Sequence, residues 1–258
     1  MMSLEDQVQH LLETNQVVST KWGVAPNFDK LVKWKYAGHD DVNELIRQAR
    51  GHIWMVTGNR KLYDELAIKR RMDEYIARYT PKLCVSGMAL GADTTWARRA
   101  LAHGIPLLAA VPCQQQWKMW TWNKSRFKDQ TIWPFCMEWA QILTHRLTTP
   151  VLITDRPYSG RLMNVRNEFM CDASDYMLAV QDPQCSKCGA EMEPLQRVCH
   201  AIGADGERCN EERRSGTLNC MEYAVKYNRP ANRWVIKNRR REQCNSNGMS
   251  ARSTTGLI

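Results

Sequence analysis

The sequence predicts an α/β fold in which a parallel sheet lies between layers of helices and carries one small inserted module. Three observations predict it. From His52 onward, short apolar strands alternate with helix-length segments. Small or glycine-bearing loops follow most of the strands, and four of the ten cysteines crowd between 185 and 209 in otherwise polar surroundings.

In order along the chain, residues 1–50 read as an N-terminal helical extension. Helices at Leu4 to Thr14 and Asp41 to Arg50 flank a Trp- and Lys-containing stretch with Gly23, Pro26 and Gly38. Leu4, Val8, Leu11 and Leu12 recur at helical spacing and are expected to pack on the main domain or on a second copy in a homo-oligomer. Residues 51–237 then form the main domain. Strands are expected at Ile53 to Val56, Lys82 to Val85, Pro106 to Val111, Val151 to Thr154, Tyr176 to Val180 and Arg233 to Ile236. The helices between them are expected at Tyr63 to Tyr79, Thr94 to Ala102, Ser125 to Leu147, Leu162 to Cys171 and Leu218 to Tyr227. Residues 238–258 read as a basic, disordered tail, rich in Ser, Asn, Gly and Thr.

With 258 residues the chain can bury one sizeable core. Its longest apolar stretch, near Ile105 to Val111, is too short to span a bilayer, and Met1 to Glu13 lacks the features of a signal segment. The expectation is a soluble cytoplasmic protein with no membrane partner. Net charge is +9, and Arg233 to Ile258 supply six Lys/Arg against one Glu. A run such as Arg239-Arg240-Arg241 suits nucleic-acid phosphates, although a solvated basic terminus has the same composition.

The loop Ser86-Gly87-Met88-Ala89-Leu90-Gly91-Ala92-Asp93 joins a buried strand directly to a helix. Glycine there permits positive φ and close approach of a ligand, and the first helical N–H groups favour an anion. Asp93 can cap the helix or accept a ribose hydroxyl. Thr57-Gly58-Asn59-Arg60, Ser159-Gly160-Arg161 and Ser215-Gly216-Thr217 follow other strands. All these loops would converge on the carboxyl edge of the sheet, where open α/β sheets bind ligands. Either phosphate binding or plain capping accounts for Ser215 and Thr217 taken alone.

Cys185-x-x-Cys188 followed by Gly189, with Cys199 and Cys209 downstream, has the spacing of a four-thiolate zinc site. About thirty residues (183–214) with few apolar side chains cannot make a core, whereas structural Zn2+ contributes on the order of 10–16 kcal/mol to small peptides. Four protein ligands make the ion structural. Trp117, Trp120, Trp122, Trp133 and Trp139 hold half of the ten tryptophans. Core or lid packing is the expected role, with stacking on a base as the alternative.

Taken together, Thr57-Gly58-x-Arg60, Ser86 to Asp93, Ala109-Ala110-Val111-Pro112, Arg166-Asn167-x-x-Met170-x-Asp172 and Ser215-Gly216-Thr217-x-Asn219-x-x-x-Tyr223-Ala224 resemble the SLOG superfamily, closest to its YpsA-like branch. The resemblance spans His52 to Ile236 apart from the cysteine insertion. It implies a Rossmann-like fold binding a nucleotide or an ADP-ribose-like molecule. Thr57, Gly58, Arg60, Ser86, Gly87, Gly91, Asp93, Arg166, Asn167, Ser215, Gly216, Thr217 and Asn219 would line the site. Relatives include DprA-type DNA-processing proteins and LOG-type phosphoribohydrolases. The LOG pattern requires a glutamate three residues after the loop threonine, and Cys220 stands there in this chain. The nearest acid, Glu222, lies about 200° further round a helix and faces elsewhere.

Overall fold

The computed structural model describes residues 17–20, 23–116, 133–203, 205–213, 215–230, 232–239 and 256–257. The strands are β1 (Val17–Thr20), β2 (Gly23–Pro26), β3 (Lys35–Tyr36), β4 (Ile53–Gly58), β5 (Leu83–Ser86), β6 (Leu107–Val111), β7 (Thr148–Leu152), β8 (Tyr176–Gln181), β9 (Asn232–Lys237) and β10 (Gly256–Leu257). The helices are α1 (Phe28–Leu31), α2 (Asp40–Ala49), α3 (Glu65–Tyr79), α4 (Ala92–Ala102), α5 (Trp133–Leu143), α6 (Gly160–Ala173) and α7 (Gly216–Tyr227). The expected helix at Leu4 to Thr14 lies outside the described residues, as do Trp117, Trp120 and Trp122.

One sheet carries the order β10-β9-β8-β4-β5-β6-β7-β3. β3 to β9 run parallel, and β10 lies antiparallel on β9. This is the Rossmann-like sheet expected from the alternation of elements. The chain moves outward from β4 through β5, β6 and β7, then crosses back to place β8 on the other side of β4. The crevice of such a sheet opens where the winding reverses, here between the carboxyl ends of β4 and β8.

Central strands are covered on both faces, which is why they read as continuous apolar runs. Trp54, Val56, Cys84, Leu107, Ala109, Leu178 and Val180 face Ile68, Met72 and Ile76 of α3, Trp96 of α4 and Trp139 of α5. Their neighbours Ile53, Met55, Leu83, Val85, Leu108, Met177 and Ala179 face Val42 of α2, Met170 of α6 and Met221 of α7. This alternation follows from the period-two geometry of strands. Two helix starts are capped by the residue types such positions favour. Asp64 accepts from the Ala67 N–H at 3.1 Å and Ser215 from the Leu218 N–H at 3.0 Å.

Several elements depart from expectation. β7 begins at Thr148 and carries Pro150 opposite Ala109 inside the sheet, a place where the missing N–H of proline argues for a strand boundary. The segment before α2 contains an antiparallel β1–β2 hairpin, and β3 extends the sheet beside β7. In the tail, expected to be disordered, Gly256 and Leu257 pair with Val235 and Trp234. Asn238 is buried, its amide oxygen accepting from the Tyr63 N–H and its NH2 donating to the Lys61 carbonyl, each at 2.8 Å. Among the described residues no helix is long and apolar enough to cross a membrane.

Candidate functional site

The Ser86 to Asp93 loop is tied into its surroundings by side chains from three elements. Ser86 Oγ donates to the Asp93 carbonyl at 2.8 Å and accepts from the Met88 N–H at 3.2 Å. Met88 takes φ +54°, a conformation that costs a non-glycine residue about 1–2 kcal/mol. Its carbonyl is held there by Trp139 Nε1 at 3.1 Å and Gln116 Nε2 at 3.2 Å. Trp139, fully buried, therefore packs in the core.

Arg166 of α6 reaches beneath this loop. Its Nη1 donates to the Gly87 carbonyl at 2.7 Å, and its Nη2 and Nε donate to Asn167 Oδ1 at 2.7 and 3.2 Å. Asn167 Nδ2 continues to the Gly216 carbonyl at 3.3 Å. The Asp93 carboxylate lies 4.0 Å from Arg166 Nη1 and accepts from the Ala89 N–H at 3.4 Å. Asp93 is 3% exposed and Arg166 6%. Burial pushes the Asp93 carboxyl up to about 6, with Arg166 pulling in the opposite sense. Burial likewise lowers the affinity of Arg166 for its proton, against the pull of Asp93.

Glycines in these loops make room for the protein itself. A Cβ on Gly91, whose φ is +88°, would lie 2.4 Å from the carbonyl oxygens of Asn59 and Arg60. The first N–H of α4, from Ala92, donates to that Asn59 carbonyl at 3.1 Å. A Cβ on Gly87 would meet Arg166 Cζ at 2.7 Å, and one on Gly58 would meet Ala92 Cβ at 2.5 Å.

Of the residues singled out in the sequence, Ser86, Gly87, Asp93, Arg166, Asn167 and Gly216 thus belong to one connected network. Gly58 and Gly91 adjoin it from the β4 side, with Thr57 buried in the strand and Arg60 exposed. Thr217 is buried in the first turn of α7, capped by Ser215. Asn219 turns away and accepts from Arg197 Nη2 at 3.0 Å. Cys220 is buried with its sulfur 3.6 Å from that of Cys171. The Cys171 thiol is pushed well up by that contact and by burial. Glu222 pairs with Arg197.

A cleft of about 670 Å³ opens at the β4/β8 reversal. Asn59 after β4 and Gln181 and Asp182 at the end of β8 form its floor; Glu211, Glu212 and Arg213 from the cysteine insertion, then Ser215, form a wall. Asn59 Oδ1 accepts from the Asp182 N–H at 2.8 Å and closes the floor. Gln181 is only 4% exposed, yet its Nε2 has no hydrogen-bond partner among the described residues. The same is true of Arg213 Nη2, although Nη1 of that guanidinium donates to the Glu193 carbonyl at 3.0 Å. Burial lowers the proton affinity of Arg213, with Asp182 opposing the effect. Sequence reasoning missed Gln181 and Arg213, because their meeting depends on strand order. A shallower depression of about 590 Å³ lies beside Ser159 and Arg161.

The insertion gathers Cys185, Cys188, Cys199 and Cys209 with all four sulfurs within 4.8 Å of one another. The Cys185–Cys209 and Cys188–Cys199 separations are 3.7 and 3.6 Å. A tetrahedral ion with Zn–S bonds of about 2.3 Å sets sulfurs about 3.8 Å apart, whereas a disulfide needs about 2.05 Å. The thiols therefore fit a metal and are free of one another. Gly189, at φ +75°, turns the knuckle so that its N–H donates to the Cys185 carbonyl at 3.1 Å. Apart from cysteines, the buried cluster of the insertion holds, among the described residues, Met192, with Ala190 and Ala201 against it.

The sequence matches no family model and no curated protein. Among solved structures, the chain is similar to DNA processing protein A from Helicobacter pylori, a protein described for its single-stranded DNA binding mode. The TM-score is 0.46 at 16% identity, over 78% of this chain and 70% of that one. It is also similar to DprA from Streptococcus pneumoniae, with a TM-score of 0.41 at 16% identity over 72% of this chain and 50% of that one. The chain thus spans half the length of the Streptococcus protein, and both likenesses concern the backbone fold alone.

Proposed function

We propose that this protein binds a nucleotide or nucleotide-derived, ADP-ribose-like ligand at the carboxyl edge of its sheet, as a sensor, carrier or sequestering module. The observation that carries this reading is a pair of buried donors without partners among the described residues, Gln181 Nε2 and Arg213 Nη2, in the cleft at the winding reversal. A buried donor left unpaired costs about 1–3 kcal/mol, so a ligand supplying acceptors recovers that energy on binding. The start of α7 lies beside them and offers the N–H groups of Gly216 and Thr217 to a phosphoryl oxygen. Asp182, Glu211 and Glu212 are acceptors suited to ribose hydroxyls. In this reading Asp93, Arg166 and Asn167 hold the loops in place beneath the ligand. The tetrathiolate site holds structural Zn2+, since four thiolates leave no open position for water.

Isothermal titration with ADP-ribose, after native mass spectrometry for any co-purifying nucleotide, tests the reading. Arg213→Ala should weaken binding by about 10- to 100-fold, the loss of one charge-assisted hydrogen bond. Unchanged affinity would move the ligand out of this cleft.

A second reading, DprA-like binding of single-stranded nucleic acid, is favoured by the +9 net charge and the basic residues after Arg233. It requires DNA affinity that falls steeply with salt and weakens when residues after Asn238 are deleted. A LOG-like hydrolase reading lacks its glutamate, because Cys220 is buried against Cys171 and Glu222 pairs with Arg197.

A further inference from the structure

We infer that metal occupancy of the four-cysteine site controls the ligand cleft, so that ion and ligand bind cooperatively; this rests on the nucleotide-binding reading of the cleft. The path is short and continuous. Cys185 itself lines the cleft. Cys199 and Cys209 stand on facing segments: the Cys209 N–H donates to the Ala201 carbonyl at 2.9 Å and the Asn210 N–H to the Cys199 carbonyl at 3.0 Å. The same pairing continues into the cleft wall. The Cys199 N–H donates to the Glu211 carbonyl at 2.9 Å, Val198 bridges Glu212, and the Arg213 N–H donates to the Arg197 carbonyl at 2.6 Å. The backbone that aims Arg213 is therefore held by the strand partner of a thiolate ligand.

Little else in the insertion can hold that geometry. Among the described residues its buried cluster is Cys185, Cys199 and Met192, far short of what a segment this long needs to offset the entropy of ordering it. Among the described residues its ties to the main domain are one half-buried apolar side chain, Leu195, packed on the core beside α7, and surface contacts of Arg197 with Glu222 and Asn219 and of Lys237 with Glu191, and exposed pairs contribute little. Without the ion the wall carrying Glu211, Glu212 and Arg213 loses its position, while Asn59 and Gln181 remain on the sheet. The cleft is then half built. Linkage makes the coupling reciprocal: a ligand that needs the wall must tighten the metal by the same factor.

Two measurements on the full-length protein test this. Hydrogen–deuterium exchange is followed before and after Zn2+ is stripped with a chelator, and again after Zn2+ is returned. Exchange at residues 197–217 should rise at least tenfold on stripping, stay unchanged in β4 and β8, and recover with the ion. Unchanged exchange at 211–217 would overturn the inference whatever the ligand does. Calorimetry with ADP-ribose should give a dissociation constant about 5- to 150-fold weaker for the stripped protein, and Cys209→Ser should reproduce the loss. Equal affinity with and without zinc overturns the coupling but leaves the binding reading intact. Absence of ADP-ribose binding to the zinc-loaded protein overturns the binding reading, and the exchange result then decides separately whether the ion holds the wall.

Discussion

The loop after β5 and the cleft between β4 and β8 share one edge of the sheet yet differ in how their buried donors are satisfied. In the first, Arg166 Nη1 finds the Gly87 carbonyl, Asp93 finds the Ala89 N–H, and glycines at 87 and 91 are filled by neighbouring protein atoms. In the second, Gln181 and Arg213 bury donors that nothing in the described chain accepts. The loop network leaves one acceptor, Gln116 Oε1, without a partner among the described residues, but its side-chain donors are all paired and it reads as framework; the cluster that buries two donors with no acceptor is the place to look for a ligand. Signatures that look alike in sequence thus separate by whether their buried donors find acceptors.

The contrast breaks most sharply at Arg166. Arg166→Ala strands the buried Asp93 carboxylate and releases the Gly87 carbonyl, so urea unfolding should show a loss of about 3–5 kcal/mol. A ligand-contacting arginine in an open site would lose affinity with little change in stability, and that outcome would make the loop after β5 the binding site.

The next effect is in pH. Folding raises the Asp93 carboxyl from near 3.8 to about 6 through burial, so the folded chain binds the proton more tightly than the unfolded one. Stability from this group therefore increases as pH falls through about 6, is complete below about 3.8, and is lost again as pH rises through about 6. The span corresponds to about 3 kcal/mol at 1.36 kcal/mol per unit. Stability curves of wild type and Asp93→Asn, subtracted, should carry this slope between pH 4 and 6.5; parallel curves would mean that the carboxyl is solvated.

Smaller again is Gly91→Ala. The backbone conformation at φ +88° costs a non-glycine residue about 1–3 kcal/mol, and the Cβ meets two carbonyl oxygens besides. A lowered melting temperature with ADP-ribose affinity per folded molecule unchanged is the expected result. Restored stability with lost affinity would return this glycine to a ligand-contacting role.

The alternation of elements was readable because β4, β5, β6 and β8, buried on both faces, are unbroken apolar runs, and the cysteine cluster because its spacing is that of a four-thiolate metal site. Strand order was not readable, since Gln181 looks like any polar residue at a strand end until β8 is known to lie beside β4. Glycine was ambiguous for a physical reason as well. Gly91 admits a backbone, and a glycine admitting a phosphate would be written with the same letter. Pro150 misled in the other direction, because proline argues against a strand interior and β7 nonetheless runs through it.

The finest test of the comparison is Gln181→Met, where stability and binding should move in opposite directions. The side chain is 4% exposed and its Nε2 donates to nothing among the described residues. A methionine of similar volume removes a buried donor and adds apolar packing, and such exchanges are neutral or stabilising. In the framework network the equivalent change, at Asn167, would sever bonds to Arg166 and Gly216 and destabilise the fold. Gln181→Met should therefore leave unfolding free energy unchanged or raise it by up to about 1 kcal/mol, while ADP-ribose affinity falls by about an order of magnitude. Proteins commonly hold such a cost in readiness for a ligand. A destabilised variant with full affinity would show that the Gln181 amide serves the fold, and the distinction between the two regions would collapse.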